Sequence, residues 1–559
     1  MDRKPRGGER LPQYSQVVHR RGDGGRPGGR GRRPEPGGGG LGRLLGLGAL
    51  LLVACGVSGY LLTSGANLPW TEWFVGVSAQ PGAATQDPFI TLGGFSTSTP
   101  EPPPPTIEYL PPPTPTPLSA AAIASSDASN YVSQSGDTLS AVAARYGVNP
   151  ADIRASDAAL DVTTTLPEGQ LLVVPQILDA ATLGPAAHVL PDSEVIFGPS
   201  ATDIDPQATT EQLGGYLSRY RGYTEDLTLK GGDLVFRIAR QHSINPRVLL
   251  TILEYHGGWV SQATPTAEGL ARPMGYSHTY KDNLAPQLNW VSNQLSIGYY
   301  NWRAGALTTL TFKDGSTLRM NPGLNAGTAA LQYLYSQMGD RATMEAALSA
   351  DGLVAAYTRL FGAPETWAVR NLIPGDLQQP ALALPFRPNR IWSFTGGPHP
   401  AWISSGQWAA IDFAPSSSGA GCGESFEPVV ASAGGVIVRA DHNAVVLDLD
   451  GDGRETTGWT VFYFHIRAKG MIAVGTVVEL GDVLGYPSCE GGRSTGTHVH
   501  LARKYNGEWM PVNGIVPFNL SGWVVTIGRA EYQGTLTRDG AIVEACTCSA
   551  PYTAISREP

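Results

Sequence analysis

The segment Thr497-His498-Val499-His500-Leu501 constrains the fold most. Side chains alternate along a β-strand, so His498 and His500 share one face while Val499 turns into a core. Two imidazoles on one face, joined by a third nitrogen or a carboxylate from elsewhere, make the open three-ligand site that catalytic zinc uses. Candidate partners are Gly396-Gly397-Pro398-His399-Pro400 and Ala410-Ile411-Asp412-Phe413, each flanked by strand-like sequence. Tyr463-Phe464-His465-Ile466 adds a further His at the end of an apolar strand. The loop Glu490-Gly491-Gly492-Arg493-Ser494-Thr495-Gly496 leads straight into the paired histidines, and its glycines let a peptide backbone approach closely.

One strand does not account for 559 residues, a length that implies several folded modules joined by linkers. The 69 Gly and 44 Pro concentrate in stretches unable to pack a core. Residues 1–43 are basic and rich in Gly and Pro, which predicts a disordered cytoplasmic tail. The segment 44–62 carries no charge over about nineteen residues, close to the ~20 a membrane-spanning helix needs, which predicts a single anchor with the remainder outside. A lipoprotein processed at Cys55 is the alternative, because Leu52-Val53-Ala54-Cys55 resembles a lipobox. Residues 63–129 read as a Pro/Thr/Ser-rich spacer.

The net charge of −9 combines a tail of roughly +7 with an exterior near −16, which argues against nucleic-acid partners. Cys422, Cys489, Cys546 and Cys548 would lie where disulfides form, in any of three pairings.

From Tyr131 the sequence YVSQSGDTLSAVAARYGVNPADI, closed by LPEGQLLVVP, resembles a LysM domain over residues 130–176. The resemblance implies a small βααβ fold and binding to N-acetylglucosamine-containing chains such as peptidoglycan, although Ser156-Asp157 stands where the family often carries Asn. Residues 177–390 read as a mainly helical domain. Within it IARQHSINPRVLLTILEYHGGWV looks like the opening of a lysozyme or lytic transglycosylase domain, a resemblance that makes Glu254 a candidate glycosidase acid.

Residues 391–523 resemble the lysostaphin and beta-lytic endopeptidase family of zinc peptidases. The resemblance implies an antiparallel all-β domain in which His399, Asp412 and His500 hold zinc and His465 and His498 are the catalytic pair. Many members place the first His four residues before the Asp, where Trp408 stands here. The beta-lytic, or staphylolysin-like, branch instead has Gly-Gly-x-His about thirteen residues before it, as His399 does. That branch also carries the CEGGxSTGxHxH segment, matched from Cys489 to His500, and the YNG of Tyr505-Asn506-Gly507.

Residues 524–559 form a Cys-containing extension. Asp448, Asp450 and Asp452 resemble the start of a calcium loop, but Trp459 occupies the twelfth position, and a solvated hairpin turn is the alternative. The expectation is a membrane-held, LysM-targeted peptidoglycan endopeptidase; the alternative is a non-catalytic cell-wall adaptor or regulator of amidases.

Overall fold

The computed structural model describes residues 128–559, apart from 156–159, 161–162, 225–226, 277–282, 403–407 and 417–420. The segment 44–62, Cys55, the tail, nearly all of the spacer and the Ser156-Asp157 pair lie outside the described residues. Among the described residues no helix is long and apolar enough to cross a membrane. The longest of them, Leu284–Arg303, has 20 residues but carries Gln287, Asn289, Asn293, Gln294 and Asn301, amides that lipid would leave without partners. The expected fold class is corrected accordingly: the described residues comprise a LysM module, a mainly helical domain and an antiparallel β-domain, and none of their helices supports the single transmembrane anchor.

In the first module Ala128–Val132 and Arg154–Ala155 flank Leu171–Pro175 in a three-stranded sheet. The Thr138 hydroxyl accepts from Ala141 N at 3.1 Å and starts the helix Leu139–Tyr146, and Gly147 ends it at φ 73°. The second helical piece is one 3-10 turn, Pro150–Asp152. This module is docked on the helical domain. Ile373 N donates to Ser135 Oγ at 2.7 Å, Thr165 Oγ1 to Pro374 O at 2.8 Å, and Arg370 pairs with Glu168 at 3.1 Å.

The helical domain contains Gly231–His242, Pro246–Gly257, Leu284–Arg303, Ala326–Met338 and Leu353–Phe361 as its principal helices. Pro246 at the first turn, Asn245 as its cap and Gly258 in the left-handed region bound one of them as local sequence dictates. Burial holds two histidines here, His242 and His256, down at a pKa of about 4. A histidine free in the unfolded chain titrates near ~6.5, so between pH 6.5 and 4 the unfolded state binds the extra protons. Stability is therefore expected to be full above pH 6.5 and to fall on acidification, by roughly 2 kcal/mol per histidine at pH 4.5. Urea unfolding of the His242→Phe variant at both pH values would show a smaller difference than the parent protein. An unchanged difference would contradict the assignment.

The last domain is built on a nine-stranded antiparallel sheet. Its order is Val477–Val478, Gly435–Asp441, Ala444–Asp448, Trp459–Phe464, Val499–Tyr505, Trp408–Pro415, Ile391–Pro400 and Ala554–Ser556, with Glu508–Trp509 paired off the path to Val499–Tyr505. The edge strand Ala554–Ser556 pairs with Ile391–Pro400 through Ala554 opposite Ser393, so residues of the C-terminal extension are part of this sheet. Period-two alternation separates two cores. Val445, Leu447, Val461, Tyr463, Val499 and Leu501 enter one, with Phe394 and Phe413. Val446, Phe462, Phe464 and Ala502 turn to the opposite face and join the core of the helical domain without a break. His500 and Asp412 are cross-strand partners on the neighbouring strands Val499–Tyr505 and Trp408–Pro415. The helical domain thus packs against the sheet whose three adjacent strands Val499–Tyr505, Trp408–Pro415 and Ile391–Pro400 carry the candidate ligands.

Candidate metal centre

His399 Nε2, His500 Nδ1 and Asp412 Oδ1 converge: the two nitrogens are 3.0 Å apart and each is 3.3 Å from the carboxylate oxygen. All three residues are buried, and their ligand atoms form a group able to hold a metal. Backbone pairing makes the convergence possible. Asp412 lies opposite His500 on one side and Gly396 on the other, and a Cβ at Gly396 would run into the Asp412 carboxylate.

The protons of the imidazoles are directed away from this point. His399 Nδ1 donates to Gly397 O at 2.8 Å, and His500 Nε2 to Ala401 O at 3.1 Å. His465 Nδ1 donates to Glu490 O at 2.8 Å, and His498 Nδ1 to Gly496 O at 2.7 Å. Carbonyls only accept, so each neutral ring must carry its hydrogen on that outer nitrogen and turn a lone pair inward. Asp412 Oδ1 is consequently buried with no hydrogen-bond donor, in spite of its imidazole neighbours. An anionic oxygen facing lone pairs without a proton between them is the environment a cation completes. The residues fit a divalent metal with nitrogen and oxygen ligands.

Electrostatics agree. Burial pushes Asp412 up, but His399 and His498 outweigh it and hold the carboxyl well below its ordinary range. Burial lowers His399, yet the Asp412 carboxylate reverses that and leaves it raised. The pocket therefore favours a positive charge. His465, buried and beside His498 at a ring separation of 4.5 Å, is pushed down to about 3, so its ring is neutral at physiological pH. His498 Nε2 stands 3.7 Å from Asp412 Oδ1.

The loop into the His498–His500 strand is anchored by the disulfide Cys422–Cys489; Cys546 and Cys548 form the second bridge. Tyr532 completes the rim. Its ring stacks on His399 at 4.3 Å, and its backbone exchanges hydrogen bonds with Gly397 and Pro398. Sequence reading missed it because it belongs to the extension; no motif connects it to His399, and only the turn between Trp523–Ile527 and Gly534–Arg538 brings it there. Trp408 lies on the Asp412 strand opposite Pro400.

The other candidates lie elsewhere. Glu254 sits at the end of its helix with Oε2 accepting from Val260 N and Ser261 N at 3.1 and 3.0 Å, and Oε1 from the Ser261 hydroxyl at 2.5 Å. That carboxylate is engaged in closing the loop after its own helix. Asp448, Asp450 and Asp452 cluster at a turn, where Asp448 accepts from the backbone of Asp450, Gly451 and Gly453.

Residues 188–375 match the LasA N-terminal domain family, and residues 131–175 match the LysM domain. Protease LasA of Pseudomonas aeruginosa strain UCBPP-PA14 is 27% identical over 395 residues, covering 65% of this chain and 84% of that protein. The beta-lytic metalloendopeptidase of Achromobacter lyticus is 28% identical over 165 residues, covering 28% of this chain and 41% of that one. Among solved structures, the M23 metalloprotease pseudoalterin from the deep sea aligns with 23% identity and a TM-score of 0.26, covering 32% of this chain and 99% of its own.

Proposed function

Because the chain belongs to the LasA and beta-lytic metalloendopeptidase family and carries a LysM domain, we propose that it hydrolyses peptide bonds in peptidoglycan outside the cytoplasm, with zinc as its metal. Its targets are stem peptides or cross-bridges, with glycine at or near the cleaved bond, and LysM holds the enzyme to the glycan. The observation that carries this reading is the inward set of lone pairs on His399, His500, His465 and His498 around the orphaned Asp412 oxygen. The Cys422–Cys489 bridge supports an oxidising, extracytoplasmic setting.

In this mechanism His399 Nε2, Asp412 Oδ1 and His500 Nδ1 would hold the zinc. When bound, zinc supplies a Lewis acid that polarises a carbonyl and lowers the pKa of water towards ~7. His465 and His498 hold their Nε2 atoms free for the reacting groups. A neutral His465 takes a proton at Nε2 from the water whose oxygen adds to the scissile carbonyl carbon and returns it to the amine as the C–N bond breaks, since its other nitrogen is occupied by Glu490 O. Tyr532 stacks on the His399 ring and so restrains its orientation.

Digestion of purified sacculi followed by mass spectrometry tests the proposal. The expected products carry new peptide amino termini with intact glycan strands, and a chelator abolishes their release until zinc is restored. Products with new reducing sugar ends alone would refute it.

A further inference from the structure

We infer that Asn443 and the side chain of Glu490 are positioning residues that hold His465 in its working orientation, an inference that rests on the peptidase reading above. His465 has φ 61°, a left-handed conformation that costs a non-glycine residue energy and persists only where its surroundings enforce it. Its carbonyl accepts from both Ser488 N, at 2.8 Å, and Ser488 Oγ, at 2.9 Å. Its ring is fixed by a single bond, from Nδ1 to the carbonyl of Glu490. That carbonyl begins the glycine-rich loop, whose Gly491 and Gly492 offer no side chain to anchor it.

The Glu490 carboxylate supplies the anchor. Oε2 accepts from Asn443 Nδ2 at 2.7 Å and from Ala468 N at 2.8 Å. Asn443 in turn grips the residue after His465: its side-chain amide donates to Ile466 O, and its carbonyl accepts from Ile466 N, both at 2.9 Å. Asn443 occupies a hairpin turn at φ 64°, next to His442 at φ 48°. Asn is suited to this place because it tolerates the left-handed region and still presents a donor. The result is a closed circuit from His465 through Glu490, Asn443 and Ile466 back to His465. The Glu490 side chain fixes the peptide whose oxygen selects the tautomer of His465, and Asn443 fixes both that side chain and the backbone beside the ring.

A positioning role separates from a structural one in the zinc-loaded full-length protein. Asn443→Gly suits the turn backbone and removes only the side-chain bonds, so the melting temperature should hold or rise. On this inference kcat nevertheless falls about 10- to 100-fold, the scale of a misplaced catalytic group, with KM and zinc content unchanged. Glu490→Ala should fall similarly, while Glu490→Gln, which keeps an acceptor oxygen, should stay within about threefold of the parent. The Nδ1 proton of His465, followed by NMR in protein with 15N-labelled histidine, should be protected in the parent and lost in Glu490→Ala. Parent-like kcat in both Asn443→Gly and Glu490→Ala, or an unchanged Nδ1 signal, would overturn the inference. A parent protein that releases no peptide from sacculi would count against the peptidase reading instead, and the NMR comparison would still decide the role of Glu490.

Discussion

His399→Ala is expected to lower the zinc content of the purified protein well below one equivalent and to reduce hydrolysis of cell-wall peptide by at least about 10³-fold. Three protein atoms converge on the point where a metal would sit, and this substitution removes one of them. The sheet should survive, because its cores are apolar and continuous on both faces without any metal. Two controls sharpen the test. His498→Ala should keep zinc but lose about 10²- to 10⁴-fold in rate, as expected of a group acting in proton transfer. Trp408→Ala, at the position where many relatives of the lysostaphin type carry the first ligand, should keep both zinc and turnover. Metal analysis with rates on the same preparations reads all three. Equal zinc and equal rate in His399→Ala and the parent would remove the basis of the enzyme reading.

The largest effect on stability is expected at Arg303. This residue ends the helix Leu284–Arg303, and its side chain, only 10% exposed, lies where the three modules meet. Its guanidinium donates to Ser135 O of the LysM module, to Tyr299 OH at 2.9 Å and to Glu508 Oε1 of the β-domain at 2.7 Å, and it stands 3.4 Å from Asp192. Burial pushes the Glu508 carboxyl up, with Arg303 opposing the shift, so its ionised form depends on that partner. Arg303→Ala leaves the buried Glu508 and the half-buried Asp192 without their cation and should cost about 3–5 kcal/mol. It should also free the LysM module, read as faster proteolysis between residues 176 and 190. The double variant Arg303→Met, Glu508→Gln removes both charges and should recover much of the loss. A melting temperature for Arg303→Ala within a degree of the parent would show that the node carries no coupling.

Much of the architecture was legible because it rests on local rules. Thr138 and Gly147 bound a helix wherever that sequence occurs, and Asn245-Pro246 starts one. Alternation at Val499, His500 and Leu501 needs no partner to set which side chains share a face. The uncharged run 44–62 was legible in the same way, but it lies outside the described residues, among which no helix is long and apolar enough to cross a membrane. The motif spacing also marked His399, Asp412, His465, His498 and His500 as a set, of which the variants above test His399 and His498 directly. The cysteines were legible only as a group of four, since pairing depends on which loops meet.

The amino-acid sequence alone therefore determined where individual helices start and stop and which side chains of a strand share a face, because helix caps and strand alternation act over a few neighbours, and motif spacing pointed to the residues proposed for chemistry. Tertiary structure alone decided what those residues face. It set Asp412 opposite His500 through strand pairing, stacked Tyr532 on His399, joined Cys422 to Cys489 and placed Arg303 between Ser135 and Glu508. Each of these contacts spans a long stretch of chain, and its partners are chosen by the burial of shared apolar surface and by backbone register, neither of which leaves a local signature.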